Sequence, residues 1–241
     1  MEREIEILRD WIDKSDNIVF FGGAGVSTES GIPDFRSQDG LYHTKYKYPP
    51  ETIVSHTFLT RKTEEFFDFY KEKMVAPVLT AMPNAAHEAL AKWEKEGKLK
   101  AVITQNIDSL HQKAGSSEVL ELHGTVMKNY CINCRREYSA EYVVNSKMVP
   151  RCEICEGLVR PDVVLYEEGL DMEVVNKAIQ YISSADVLIV GGTSLVVYPA
   201  AGLIQYYKGN KLVLVNLSET SQDKNADLVI HGKIGEVFSK L

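Results

Sequence analysis

The apolar and polar positions divide the chain into short buried runs separated by amphipathic stretches. Ile5, Leu8, Trp11 and Ile12 recur at helical spacing with charges between them, which predicts an amphipathic helix over residues 2–14. The stretch from Asn17 to Phe21 is short, apolar and closed by glycines, the pattern of a buried strand ending in a tight turn. Gln38 to Pro50, rich in tyrosine, lysine and proline, reads as irregular and surface-lying. Residues 51–80 read as helical, with Phe58, Phe66, Phe67, Phe69 and Tyr70 forming an aromatic face for a small unit with its own core. Pro83-Asn84 opens a further helix carrying His87, Leu90 and Trp93 and ending at Gly97. His87 lies near its start, a capping or packing position. Strands are expected at 100–104, 118–122, 160–166, 186–194, 211–216 and 226–230, with a short helix over Ser109–Lys113 and a last helix near Ile234. Apolar strands alternating with helices predict an α/β fold: a doubly wound, mostly parallel, Rossmann-like sheet. There is no internal repeat and no low-complexity linker.

Composition narrows the picture. The 241 residues allow one large domain, or one large and one small, and 44% apolar with 25% charged residues suits a packed core. No run is long enough to cross a bilayer and the N-terminus lacks an apolar signal-peptide core, so a soluble, cytoplasmic protein is expected. A net charge of −7 argues against a general nucleic-acid binder, and no direct nucleic-acid partner is expected.

The four cysteines form two C-x-x-C pairs, Cys131/Cys134 and Cys152/Cys155, separated by seventeen residues. In a cytoplasmic protein this spacing points to a zinc ribbon rather than disulfides. Four thiolates fill a tetrahedral shell and leave no position for water, so the expected ion is structural.

The remaining candidate chemistry gathers at strand ends. Gly22, Gly23 and Gly25 can take positive φ and bring backbone close to a ligand, and Ser27 and Thr28 stand where a helix could begin facing a pyrophosphate. Gly23 and Gly25 match the first two glycines of G-x-G-x-x-G and Thr28 replaces the third, so an ordinary βα turn and a dinucleotide site both fit. Gly31 to Arg36 cannot continue a helix past Gly31 and Pro33; Phe35 offers an apolar lid and Arg36 a fork for phosphate or carboxylate. Asn106 and Asp108 follow a strand, where open sheets place ligand contacts, yet either could simply cap the next helix. His123 also follows a strand, and an imidazole with a pKa of about 6.5 suits proton removal near neutrality. His111 is the lesser candidate. Asn216 ends a strand where a Rossmann site sets an acid against ribose.

Four stretches in order, GAGVSTESGIPDFRS, TQNIDSLHQKAG, LHG and GTSL, closely resemble the motifs of the sirtuins, NAD-dependent protein deacylases, in their short bacterial form. The resemblance runs from the glycine loop to Ile234. It implies a Rossmann-like NAD-binding domain from 1–40, 84–127 and 160–241, with a helical insert at 41–83 and a zinc-ribbon insert at 128–159 forming a small domain. It implies NAD contacts at Ala24, Thr28, Phe35, Arg36, Gln105, Ile107, Asp108, His123, Thr193, Ser194, Asn216 and Ile234, with Ile234 acting through its backbone. His123 and Asn106 would be catalytic. NAD would be consumed rather than reduced: the acyl oxygen of a modified lysine attacks the ribose carbon as nicotinamide leaves. Asn106 helps place the ribose and a water, and His123 is general base on a ribose hydroxyl. The expected products are free lysine, nicotinamide and O-acyl-ADP-ribose.

An acylated protein lysine would be the partner, its chain added as an extended strand along Val164, Leu165 and Tyr166, with Leu195 to Pro199 as the facing wall. Where sirtuins commonly continue Phe-Phe-Gly-Glu, this chain has Leu165-Tyr166-Glu167-Glu168, and Glu167 could favour basic residues near the target lysine. Tyr70 matches the tyrosine of a Tyr-x-x-Arg pair found in sirtuins that remove acidic acyl groups, but Lys73 replaces the arginine and lacks its planar fork, so acetyl is the expected acyl group. Removal of other acyl groups and protein ADP-ribosylation are the alternatives within the NAD reading. A zinc-ribbon adaptor with a relict nucleotide fold and a simple NAD dehydrogenase are further ones.

Overall fold

The computed structural model of the protein describes residues 1–34 and 47–241. Its helices and strands, in chain order, are α1 (Glu2–Asp13), β1 (Ile18–Gly22), α2 (Pro50–Ile53), α3 (His56–Arg61), α4 (Thr63–Phe69), α5 (Ala76–Thr80), α6 (Ala85–Lys95), β2 (Leu99–Thr104), α7 (Leu110–Ala114) and β3 (Val119–Glu121). They continue with β4 (Gly124–Cys131), β5 (Glu137–Ser139), α8 (Ala140–Asn145), β6 (Val159–Val163), α9 (Met172–Ser184), β7 (Val187–Gly191), β8 (Leu212–Asn216), β9 (Leu228–His231) and α10 (Ile234–Phe238).

Six strands form one sheet in the order β3-β2-β1-β7-β8-β9, and every pairing in it is parallel. Because side chains alternate across a strand, Ile18 and Phe20 enter the core beneath α1, α6 and α10, whereas Val19 and Phe21 enter the core beneath α9. Both faces are covered, which is why the strands read as unbroken apolar runs. The chain moves one way from β1 to β2 and β3, and the other way from β1 to β7, β8 and β9. The order therefore reverses between β1 and β7, the place where open α/β sheets bind ligands.

The second sheet is antiparallel, in the order β5-β4-β6. The aromatic face at 51–80 does not close a core of its own, as the pattern suggested. Phe58, Phe66, Phe67 and Tyr70 pack in one cluster with Val126, Val143, Val159 and Val163 of the β4–β6 region. That stretch is a series of short helices, with a π-helical turn over Tyr70–Val75 between α4 and α5. The strand expected over 160–166 ends earlier, at Val163. Among the described residues no helix is long and apolar enough to cross a membrane.

The start of α6 has the reciprocal cap expected of its sequence. Asn84 Oδ1 accepts from the Ala86 N–H at 2.9 Å, and the Asn84 N–H donates to His87 Nδ1 at 3.2 Å. An accepting Nδ1 leaves the proton of the neutral ring on Nε2. His87 is fully buried with its ring centroid 4.7 Å from that of His111. Burial lowers the His87 pKa to about 4, and burial together with His87 lowers that of His111. Both rings are thus neutral in the folded protein near neutral pH.

A lowered folded-state pKa means that an unfolded histidine takes up its proton first as pH falls. The contribution of His87 is whole above about pH 6.5 and is lost between there and pH 4, to a limit of about 3 kcal/mol at about 1.4 kcal/mol per unit. His87→Gln, which keeps an acceptor for the cap, is expected to flatten the pH dependence of the urea-unfolding free energy in that window. Equal slopes in the two proteins would contradict this.

Candidate active site

The carboxyl ends of β1 and β7 interlock through their backbones. The Gly25 N–H donates to the Gly192 carbonyl at 2.8 Å, and the Gly23 N–H to that of Gly191 at 3.2 Å. A Cβ on Gly25 would stand 2.8 Å from Gly192 Cα, and one on Gly192, at φ 61°, would stand 2.4 Å from Val26 N. Glycine is needed on both sides of this contact. The expectation of positive φ at Gly22, Gly23 and Gly25 is corrected: none of the three takes it, Gly23 lying at φ −137°. Close approach, not handedness, selects glycine here.

Two 3-10 turns, Ala24–Val26 and Thr28–Ser30, follow in place of the α-helix that the pattern offered. Thr28 is exposed and its hydroxyl donates to the Gly25 carbonyl at 3.0 Å. Ser27 instead turns inward, its hydroxyl donating to Asp108 Oδ2 at 2.7 Å and accepting from Asn106 Nδ2 at 3.1 Å. Asp108 Oδ1 takes the Leu110 N–H at 2.9 Å at the start of α7, as the capping reading expects. Burial raises the Asp108 pKa, with the Leu110 and Ser27 hydrogen bonds opposing. Ser27, read from the sequence only as a residue that could face a pyrophosphate, instead links Asn106 to Asp108. A serine beside the glycine turn was the available signal, but its inward turn depends on the 3-10 geometry.

Gln105 joins the other strand ends. Its N–H donates to the Gly22 carbonyl at 3.0 Å and its Nε2 to Thr193 Oγ1 at 3.1 Å. Its carbonyl lies 2.9 Å from His123 Nδ1. A carbonyl oxygen only accepts, so Nδ1 carries the proton and Nε2 presents a lone pair. Burial lowers the His123 pKa, partly offset by the Gln105 hydrogen bond, and the ring is neutral near pH 7. The Thr193 N–H donates to Asn216 Oδ1 at 2.9 Å. Asn216 Nδ2 is buried with no partner among the described residues.

These contacts link Gln105, His123, Thr193 and Asn216 at the carboxyl ends of the strands, with Ser27, Asn106 and Asp108 joined to one another beside them. Ala24 and Ile107 are half-buried at the same loops and Ser194 is exposed. The Ile234 side chain is core, its Cδ1 standing 2.3 Å from where a Cβ on Gly191 would lie. Phe35 and Arg36 lie outside the described residues. Beyond β6, the Val164 N–H donates to the His123 carbonyl at 2.9 Å, Leu165 is buried and Tyr166 is 40% exposed. The expected substrate-bearing segment is therefore bonded directly to His123.

The four cysteine sulfurs all lie within 4.8 Å of one another, with Cys131 to Cys155 and Cys134 to Cys152 each at 3.5 Å. A tetrahedron with zinc–sulfur bonds of 2.3 Å has edges of about 3.8 Å, so the thiols fit one zinc ion with no position left for water. The Tyr138 hydroxyl donates to Cys152 Sγ at 3.1 Å and lowers that thiol to about 6, toward the thiolate a metal requires. Cys131 and Cys152 belong to the apolar cluster shared with α3 and α4, which joins the ion to the packing of that unit.

One zinc equivalent per chain is expected by metal analysis. Stripping it with a strong chelator should lower the melting temperature by roughly 10 °C or more, because structural zinc contributes about as much free energy as a whole domain's net stability. An unchanged melting temperature after complete removal would contradict the structural role.

The Sir2 family model matches residues 23–199 of the chain. The NAD-dependent protein deacetylase of Clostridium tetani is 60% identical over 234 residues, spanning 96% of this chain and 94% of that protein. The NAD-dependent protein deacetylase of Clostridium perfringens is 58% identical, spanning 100% of this chain and 99% of its own. Among solved structures, a Sir2 protein with deacetylated p53 peptide and 3'-O-acetyl ADP-ribose superposes with a TM-score of 0.90 at 42% identity, covering 98% of this chain and 96% of that one. Matched by the family model over 23–199 and by these relatives along nearly its whole length, the chain belongs to the Sir2 family, that of the sirtuins.

Proposed function

We propose that the protein is an NAD-dependent protein-lysine deacetylase, giving nicotinamide, free lysine and O-acetyl-ADP-ribose. The observation that carries this reading is His123: a neutral imidazole whose Nδ1 proton is held by Gln105, whose backbone carbonyl holds Val164, and whose Nε2 is left to take a proton. Support comes from relatives named as deacetylases and from the Sir2 structure with deacetylated peptide and acetylated ADP-ribose.

NAD, when bound, supplies a ribose carbon that releases nicotinamide and a ribose hydroxyl that accepts the acyl group. The residues present suit it: polar groups of Gln105, Thr193 and Asn216 gathered at strand ends where the strand order reverses, and the orphaned Asn216 Nδ2. Ala24, Gln105, Thr193, Ser194 and Asn216 line the cofactor crevice. Ser27 holds Asn106 and Asp108 in fixed orientation, so that Asn106, Ile107 and Asp108 shape the nicotinamide end. His123 Nε2 takes the proton from the ribose hydroxyl. The lysine-bearing chain lies extended along Val164–Tyr166. The ion held by Cys131, Cys134, Cys152 and Cys155 fixes the small unit and takes no part in the reaction. Those four thiols also favour a reducing setting, the cytoplasm.

Acetyl is the acyl group the geometry favours. Tyr70 is fully buried, stacked on Phe66 with centroids 5.5 Å apart, and the Lys73 ammonium lies 2.6 Å from the Glu72 carboxylate. Neither offers a bidentate grip on a second carboxylate.

With acetylated peptide and NAD, nicotinamide release and deacetylation should each require both reactants. His123→Ala should lower turnover by roughly 10²–10⁴-fold while NAD-dependent peptide binding persists. Because the imidazole must be neutral to act and its pKa is lowered, the acid limb of the wild-type kcat/KM profile should fall below pH 6.5. Wild-type rates in the variant, or an acid limb above 6.5, would overturn the assignment. Acetyl peptides should react faster than succinyl peptides of the same sequence, and the reverse order would refute the acyl preference.

A further inference from the structure

The first four N–H groups of an α-helix lack partners inside it, and at α3 two of them are satisfied by the substrate segment. The Phe58 N–H donates to Ser55 Oγ at 3.2 Å and the Leu59 N–H to the Ser55 carbonyl at 3.0 Å, an ordinary local cap. The His56 N–H instead donates to the Tyr166 carbonyl at 3.0 Å, and the Thr57 N–H to Glu167 Oε2 at 2.9 Å. The Tyr166 N–H returns a bond to the Val54 carbonyl at 3.1 Å. Residues 54–57 and 166–167 therefore clasp each other through three hydrogen bonds, one of which depends on a side chain.

That side chain belongs to a residue in a disfavoured conformation. Glu167 lies at φ 75°, the left-handed region in which glycine is at ease and other residues are strained. Its neighbour Glu168 engages the same helix start and Arg160 as well. Its carboxylate takes both Arg160 Nη atoms, at 2.7 and 3.0 Å, together with His56 Nδ1 at 2.8 Å and the Leu165 N–H at 3.0 Å. Both consecutive carboxylates therefore reach α3, Glu167 at the Thr57 N–H and Glu168 at the His56 ring, and of the two Glu168 also holds Arg160. The wall Val164–Tyr166, which lies beyond the end of β6, is held at one end by the His123 carbonyl and at the other by this clasp.

We infer that Glu167 is a positioning residue for the lysine-bearing chain. By accepting from Thr57 it fixes the far end of the wall on α3, so that the helical region and the substrate segment move as one body. The inference rests on the deacetylase reading, in which that wall pairs with substrate. Through Oε2 the Glu167 carboxylate is engaged within the protein, where it serves the wall's geometry.

Three variants separate the carboxylate from the backbone. Glu167→Gln keeps an acceptor for Thr57. Glu167→Ala removes it and keeps the strain. Glu167→Gly removes it and relieves the strain. The inference predicts a peptide KM near wild type for Glu167→Gln, and one raised about three- to tenfold for both Glu167→Ala and Glu167→Gly, the size of a lost helix cap. KM for NAD and kcat should be unchanged throughout. Amide hydrogen exchange on the unliganded protein should show faster exchange at Thr57 and Tyr166 in Glu167→Ala and Glu167→Gly than in wild type or Glu167→Gln. A wild-type peptide KM in Glu167→Gly, a Glu167→Gln defect equal to that of Glu167→Ala, or unaltered exchange in Glu167→Ala would each overturn it. If the wild-type protein fails to deacetylate any peptide, the functional reading falls, and the exchange measurement still decides whether the clasp exists.

Discussion

The hydrogen bond from His123 Nδ1 to the Gln105 carbonyl is the contact on which the site depends. It fixes the tautomer, turns Nε2 outward as an acceptor, and sets the ring against the residue that also binds Gly22 and Thr193. Gln105 contributes an N–H, a carbonyl and a side-chain amide, each to a different strand end. A one-residue slip of β2 would break all three at once, because its side chains and backbone groups alternate in direction. The core-facing positions of β2, Ala101, Val102 and Ile103 between parallel neighbours β1 and β3, oppose that slip. Hydrophobic register therefore specifies the placement of the polar groups.

The site is rigid on one side and jointed on the other. Along the large sheet, the glycine interlock of β1 with β7 and the Asn216–Thr193 bond connect strands buried on both faces. Toward the small unit, continuity passes through β4, which begins immediately after His123, and through the wall beyond β6. The zinc-fitting cysteines terminate this second unit, with Cys131 at the end of β4 and Cys152 in the shared apolar cluster.

Much of this was legible in the sequence because each feature is local. Apolar runs, the glycine turn, the C-x-x-C pairs and the polar residues after strands are written in adjacent positions, and a parallel sheet makes strand ends converge. Less legible were features decided by distant partners. Ser27 turns inward because Asp108 and Asn106 await it, eighty residues away in rough terms. Gly23 and Gly25 after β1 signal close approach to Gly192, which the sequence cannot distinguish from a positive-φ turn. The aromatic face of α3 and α4 looked like a core of its own because nothing local shows that β4 and β6 will cover it. The wall after Val163 departs from strand geometry because Tyr166 and Glu167 are engaged by α3, a contact between segments more than a hundred residues apart.

The measurement that bears most directly on this account is the protonation state of the His123 ring, read by nitrogen-15 NMR of the imidazole across pH 5 to 8, roughly the range in which a histidine titrates. The account predicts a neutral ring at pH 7 with the proton on Nδ1 and Nε2 bare, titrating below 6.5. A ring protonated on Nε2, or one still cationic at pH 7, would leave no base facing the crevice and would contradict it.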